Sequence, residues 1–427
     1  MDRKYKLYQW GKGPKVLLIP DKGIGTVYVE MIVNNCGLFT DEVVEMSHFM
    51  EHMQAKFTSV KYPCAKKIRR ELEECGCYKN ASTTNGQTNY YFTCMREYLS
   101  RILDIFLESF IHFKMDTSIF SAEKIAVITE ISQNNIADIW KTFYTTIEQQ
   151  LYGPRIPFAY ATPEERIQST KQIQPQDLTA FRKKYYENPE MYTLVIAGDF
   201  SPSTVLQEIR NKFVKPLLHQ YQKHAVQVSS SSIPTFPLVF QDGTILHVKN
   251  KTRLPDYKIR ITWGIGNQVT PSDIKQRATI HLMSSILEKR LFEILRMRKE
   301  MVYGVHVDFF PDYYGSGQFM IRTETVKKNL SHLLQIVERE FRKLSITIVP
   351  SKEFDGVKNE RRMLFYKDRQ DTSPENFAQF YSKQVSMGKP IITNTCLYNA
   401  YMKITPKDIL QVSGMILKCP RLIVYSG

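Results

Sequence analysis

The sequence predicts an α+β protein built from two homologous, duplicated domains, each a mixed or antiparallel β-sheet packed with helices. Three observations carry this expectation. The 427 residues exceed one domain of ordinary size. A segment from His219 to Pro237 is polar, then serine-rich, then carries two prolines, and it cuts the chain near its middle. On either side of it the chain repeats one grammar: β-like segments first, helical stretches next, a closing strand last. The expected organisation is a domain over 1–218, a linker over 219–237 and a second domain over 238–427.

The elements follow in order. K-V-L-L-I-P at 15–20 and T-V-Y-V-E-M-I-V-N-N at 26–35 open the first half as strands. Val43 to Phe57 and Ala65 to Cys75 have helical spacing of apolar residues. Asn80 to Cys94 alternates as strands do, and Asn85-Gly86 supplies a turn. Glu97 to Lys114 and Ser121 to Leu151 read as helices, and Y-T-L-V-I-A-G-D-F at 192–200 closes the half as a strand. The second half opens with T-I-L-H-V and Y-K-I-R-I-T-W-G and closes with R-L-I-V-Y-S-G at 421–427.

Composition removes several classes of function. Hydrophobic residues make up 43 % and charged residues 24 %, ordinary for a globular chain. The greasiest segment, Leu103 to Phe113, contains Asp104 and Glu108, so no membrane span or membrane partner is expected. The first residues, M-D-R-K-Y-K-L-Y-Q-W, hold no apolar core of a secretory signal and no transit-peptide pattern. The 7 cysteines are odd in number and form no CxxC pair. That argues against a disulfide framework and for a reducing, cytoplasmic location, where the N-A-S sequon at Asn80 would meet no glycosylation machinery. The net charge of +15 is spread along the chain, with K-K-I-R-R at 66–70 as its densest group. A lysine-rich solvated surface accounts for it, and no nucleic-acid partner is expected.

Chemistry concentrates in M-S-H-F-M-E-H-M-Q-A at 46–55. His48 and His52 stand four apart, so on a helix both imidazoles lie on one face and can converge on one zinc ion. Glu51 projects over the same face, too close in sequence to be an easy third ligand and well placed to take a proton from water. This is H-x-x-E-H, the inverse of the commoner H-E-x-x-H. The bland alternative is an amphipathic helix with surface histidines. A catalytic zinc needs a third donor, and Glu123 and Glu130 stand seven apart on one face of a later helix.

With the glutamates in that order, the chain resembles the pitrilysin/insulinase family of zinc peptidases. The likeness is to its half-length branch, which includes the mitochondrial processing peptidase and bacterial processing-type zinc proteases. H-F-M-E-H-M resembles the family's H-F-L-E-H-M, with Lys56 and Thr58 also in place. Asn80, Ala81, Ser82 and Thr83, then Thr88 and Tyr90, resemble its substrate-binding strand. R-L-F-E-I-L-R-M-R-K-E-M-V-Y-G-V, from Arg290 to Val305, resembles a later motif that supplies an arginine and a tyrosine to the active site, here Arg296 and Tyr303.

The resemblance implies a zinc endopeptidase acting on extended peptides or unfolded protein segments. It implies one Zn2+ per chain on His48, His52 and Glu130, Glu51 as general base, and Glu123 orienting a ligand histidine. It also implies half of a clamshell: a homodimer, or a heterodimer with a related chain, enclosing a chamber in which Arg296 and Tyr303 serve the partner's zinc site. The second half has no H-x-x-E-H of its own. There are departures. The stretch from Gly37 to His48 is shorter than usual, and the family's Gly-Leu-Ala before the first histidine is Glu45-Met46-Ser47. Phe57 and Glu300 stand where glycines are usual. Two rival readings stay open: a non-catalytic family subunit acting as scaffold or obligate partner, and a basic nucleic-acid-binding protein.

Overall fold

A computed structural model describes residues 2–137, 141–224, 235–249, 256–269, 273–310, 317–368 and 373–427. The chain forms two compact units. The first comprises Met1–Asn134, Ala161–Pro234 and Asp371–Ile391, and the second Asn135–Tyr160, Thr235–Gln370 and Ile392–Gly427. The main division falls inside the expected linker, but each unit also takes a piece of chain from beyond it. His219–His224, the start of that expected linker, are helical, in Lys215–His224; residues 225–234 lie outside the described residues.

The first unit holds β1 (Lys6–Gln9), β2 (Lys15–Pro20), β3 (Thr26–Asn34), β4 (Tyr78–Thr83), β5 (Gln87–Met95) and β6 (Tyr192–Gly198) in the order β1-β2-β6-β3-β5-β4. The second holds β7 (Thr244–Val248), β8 (Asp256–Gly264), β9 (Val305–Phe310), β10 (Gln318–Val326) and β11 (Arg421–Ser426) in the order β7-β11-β8-β10-β9. Apart from the extra edge strand β1, the connectivity is the same. In each sheet the first strand runs parallel to the last, and every other pairing is antiparallel. Both sheets are thus mixed, and the duplication expected from the sequence is present as topology.

Central strands of the first sheet are covered on both faces, which is why they read as near-continuous apolar runs. Val27, Val29, Met31 and Val33 of β3 face the main core with Leu194 and Ile196 of β6. Tyr28 faces the other way with Leu17, Ile19, Val195 and Ala197, against Ala378, Tyr381 and Val385 of helix Pro374–Ser386. The main face is closed by α1 (Met46–Ala55), α2 (Ala65–Glu74), α3 (Leu99–Ile111) and α4 (Thr117–Ala137). The stretch expected to be helical over 121–151 is helical in its described residues, as α4 and α5 (Lys141–Tyr152), with 138–140 outside the described residues.

Candidate metal centre

Helix α1 is two-faced. Met46, Phe49, Met50 and Met53 enter the core, which turns His48, Glu51 and His52 to the opposite side. Its start is anchored from outside the helix: buried Asp41 accepts from the Ser47 backbone N–H at 3.0 Å and from the Ser47 hydroxyl at 2.9 Å. This satisfies an N-terminal donor that α1 itself leaves open. The loop before α1 also grips the β4–β5 turn, through Leu38 N–H to Thr84 O at 2.9 Å and Phe39 N–H to Asn85 O at 2.8 Å. Gly37 permits that approach, because a Cβ there would lie 2.4 Å from the Gln87 nitrogen.

The two histidines meet α4. His48 Nε2 lies 3.3 Å from Glu130 Oε2, and His52 Nε2 lies 3.5 Å from Glu130 Oε1. Ligand atoms of His48, His52 and Glu130 all fall within 4.8 Å of one another, and among the described residues no other group of three His, Cys, Asp or Glu side chains does so. The other ring nitrogens are held by carboxylates. His48 Nδ1 is 2.7 Å from Glu45 Oε2, and His52 Nδ1 is 3.2 Å from Glu123 Oε2. Each carboxylate is itself fixed, Glu45 by Arg166 Nε at 2.5 Å and Glu123 by Lys56 Nζ at 2.7 Å. With both Nδ1 atoms occupied, both Nε2 atoms are left for a ligand.

Donor types and electrostatics both suit a cation. Two imidazoles and a carboxylate form a set that zinc accepts while keeping one position open. Burial opposes a charge on His48, yet Glu45, Glu51 and Glu130 together hold its pKa above the ordinary value. Burial pushes Glu45 up as well, but His48 and Arg166 overcome it and leave that carboxyl below its ordinary range. Glu51 stands beside the centre, and burial is the main cause of its raised pKa, offset in part by Thr83.

A cavity of about 540 Å³ adjoins the centre, lined by Glu51, Phe106, Phe110, Tyr90, Lys79 and Ala81 among others. Asn80, Ala81, Ser82 and Thr83 lie on β4, the edge strand, and Thr83 Oγ1 donates to Glu51 Oε2 at 2.6 Å. Arg296 and Tyr303 belong to the second unit. Arg296 sits in the π-helical turn Glu293–Arg298, and its guanidinium lies 5.3 Å from the ring centre of Tyr303. Tyr303, in the bend before β9, is 87 % exposed.

Sequence reasoning missed Glu45, Arg166 and Asp41. Glu45, three residues before His48, was open to the same spacing argument that found His52. Arg166 lies 121 residues from Glu45, and no local pattern joins them.

A family model described as Insulinase (Peptidase family M16) matches residues 18–151, and one described as Peptidase M16 inactive domain matches residues 172–361. Human insulin-degrading enzyme is 30 % identical over 239 residues, covering 53 % of this chain and 23 % of that protein, so the chain spans about a quarter of that relative's length. An uncharacterised zinc protease of Bacillus subtilis (strain 168) is 24 % identical over 331 residues, covering 76 % of this chain and 74 % of that one. The crystal structure of a protease from Helicobacter pylori superposes with a TM-score of 0.79 at 16 % identity, covering 100 % of both chains, a likeness of fold. Since two domains of one peptidase family are matched in order along its length, the chain belongs to the insulinase (M16) peptidase family.

Proposed function

We propose that this chain is a zinc endopeptidase acting on extended peptides or unfolded protein segments. One observation carries the reading: two imidazole nitrogens and the Glu130 carboxylate converge beside Glu51, next to an open strand edge. His48, His52 and Glu130 would hold the metal. Zinc bound there supplies a Lewis acid that polarises a carbonyl and acidifies water.

The remaining roles fall to the chain's own groups. Glu45 and Glu123 fix the ring orientation of the two histidines. Glu51, held by Thr83, takes the proton of the attacking water and returns it to the departing amine. β4 receives the substrate backbone as an added strand, which tolerates many sequences. Tyr303 donates to the developing oxyanion and Arg296 holds the substrate backbone, each serving the centre of a second copy in a homodimer that encloses the substrate. The high exposure of Tyr303 is consistent with that role.

The test compares wild type with Glu51→Gln. Zinc per chain is measured by elemental analysis and cleavage with a quenched peptide library. One zinc in both and hydrolysis in wild type alone supports the reading. Absence of zinc from the wild type refutes it, and zinc without cleavage in either favours a non-catalytic subunit or a chain active only with a related partner.

A further inference from the structure

The second sheet carries a row of basic side chains on the face turned away from its core. Strand register places Arg260 of β8 directly opposite Arg322 of β10, and Arg322 opposite His306 of β9. Their neighbours Ile259, Ile261, Ile321, Val305 and Val307 enter the core, so alternation sends the row to the other face. Like charges directly opposite one another destabilise a sheet. In the first unit the corresponding face is filled by apolar side chains of helix Pro374–Ser386. In the second, α5 packs on β7 and β11. Beside it a cavity of about 350 Å³ opens over the row, lined by Tyr144, Lys258, Arg260, Tyr303, Arg322 and Glu324 among others.

Three cations of this lining face one carboxylate. Glu324 lies 3.6 Å from Lys258, whose Nζ also donates to the Tyr144 hydroxyl at 3.2 Å. Arg322 pairs with Asp308 at 2.7 Å. Arg260 is different. Its Nε donates to Thr262 Oγ1 at 3.1 Å and its Nη2 to Gln318 Oε1 at 2.7 Å, both neutral acceptors. Among the described residues no carboxylate lies within ion-pair distance of it. Burial above all, with repulsion from Arg322, works against its charge, and Glu148 attracts it from beyond that distance. Its Nη1 has no acceptor among the described residues and is not buried, so this edge of the guanidinium is open to the cavity.

We propose that this cavity of the second unit binds one carboxylate of a peptide, with Nη1 of Arg260 as its anchor and Arg322 as a second donor. A guanidinium holds a carboxylate through directed N–H groups that a lysine ammonium does not reproduce. With Lys258 and Arg322 already facing carboxylates, the surplus is a single charge, which matches a carboxylate rather than a phosphate group carrying about two. The bound anion also relieves the repulsion between Arg260 and Arg322. Phe143 and Tyr144 supply an aromatic wall for the carbon atoms that carry it, and Tyr303 lines the same cavity. That the carrier is a peptide rests on the function proposed above; the carboxylate site does not. The carboxylate has two sources, an acidic side chain and a C-terminus.

The test measures peptide binding by fluorescence anisotropy at low salt, using the full zinc-loaded chain as Glu51→Gln so that no peptide is cleaved. A short neutral peptide with blocked ends is compared with versions carrying one glutamate, moved along it, and with a version having a free C-terminus. Each is then measured with Arg260→Gln, Arg260→Lys or Arg322→Gln added. The expected result is that an acidic version binds about tenfold more tightly than the neutral parent, the effect of a hydrogen bond to a charged group. Arg260→Gln abolishes that gain, Arg260→Lys keeps part of it and Arg322→Gln reduces it. A gain from an internal glutamate assigns a side chain and a gain from the free end alone assigns the C-terminus; both support the site. No gain from any acidic version overturns the proposal. So does a gain that survives Arg260→Gln, as it would for a carboxylate caught by the zinc. Arg322 is half exposed, so Arg322→Gln decides the matter should Arg260→Gln fail to fold, and an undiminished gain there overturns the proposal. Cleavage of the same peptides by wild type is followed separately. The gain without any cleavage supports the site and counts against the peptidase reading, and cleavage without the gain does the reverse.

Discussion

Thr83, on the edge strand β4, donates its hydroxyl to Oε2 of Glu51, on α1, at 2.6 Å. The strand proposed to receive the peptide and the group proposed to move the proton are therefore one mechanical unit. Replacing Thr83 with valine keeps the shape and removes the donor. The expected result is a loss of about fivefold in kcat with zinc content unchanged, the cost of one positioning hydrogen bond near 1 kcal/mol. A matched fall in zinc content would instead show that Thr83 maintains the metal ligands.

Glu45 and Glu300 both stand where glycine is usual in the family, and both keep a left-handed backbone, with φ of 75° and 50°. Side chains rarely adopt this region, at a cost of about 1–2 kcal/mol. Glu45 has compensation, because its buried carboxylate bridges His48 and Arg166. Glu45→Gln should weaken zinc binding about 10- to 100-fold, the usual effect of removing a partner behind a ligand histidine. Competition with a chromophoric chelator measures it, and an unchanged affinity would show that Glu45 serves only the fold.

Glu300 has no such compensation. It is exposed, and none of the hydrogen bonds or ion pairs described for this chain includes it. Glu300→Gly should therefore stabilise the second unit, by about 1 kcal/mol from relieved strain less the entropy that glycine adds to the unfolded chain. Thermal unfolding measures it, and a lowered midpoint would mean that the side chain has a partner in solution.

What the sequence made legible follows from locality. Strands β2, β3, β6, β7, β8 and β11, the β4–β5 hairpin and the facing of His48 and His52 all rest on spacings within one element, so periodicity revealed them, whereas β9 and β10 were not read. Glu130 was singled out from Glu123 only by the family resemblance, since two glutamates on one face of a helix are common. The pairing of Glu45 with Arg166 and the covering of Leu17, Tyr28 and Val195 by Ala378 and Tyr381 join residues far apart in sequence. Helix Pro374–Ser386 was not read from the sequence, and nothing local says which sheet it covers. The left-handed Glu45 was hidden for the opposite reason: its residue type argues against its conformation.

Glu30 offers a test of that cover by pH. It lies on β3, on the face packed by helix Pro374–Ser386, and is 6 % exposed. Burial, with some repulsion from Glu375 and against a hydrogen bond from Ser382, pushes its carboxyl up to about 7, and its Oε2 has no partner. Below the ordinary value of 4.5 the group is protonated both folded and unfolded, and the stabilising difference is fully present. Between there and about 7 the unfolded chain has released the proton that the folded chain keeps, so stability falls as pH rises. The loss is complete above about 7 and amounts to about 3 kcal/mol. Glu30→Gln removes the ionisation while keeping the shape. Urea midpoints measured from pH 5 to 8 should decline for wild type and stay flatter for Glu30→Gln. Parallel pH profiles for the two would mean that water reaches Glu30, and that the helix covers the sheet less tightly than the packing of Ala378, Tyr381 and Val385 implies.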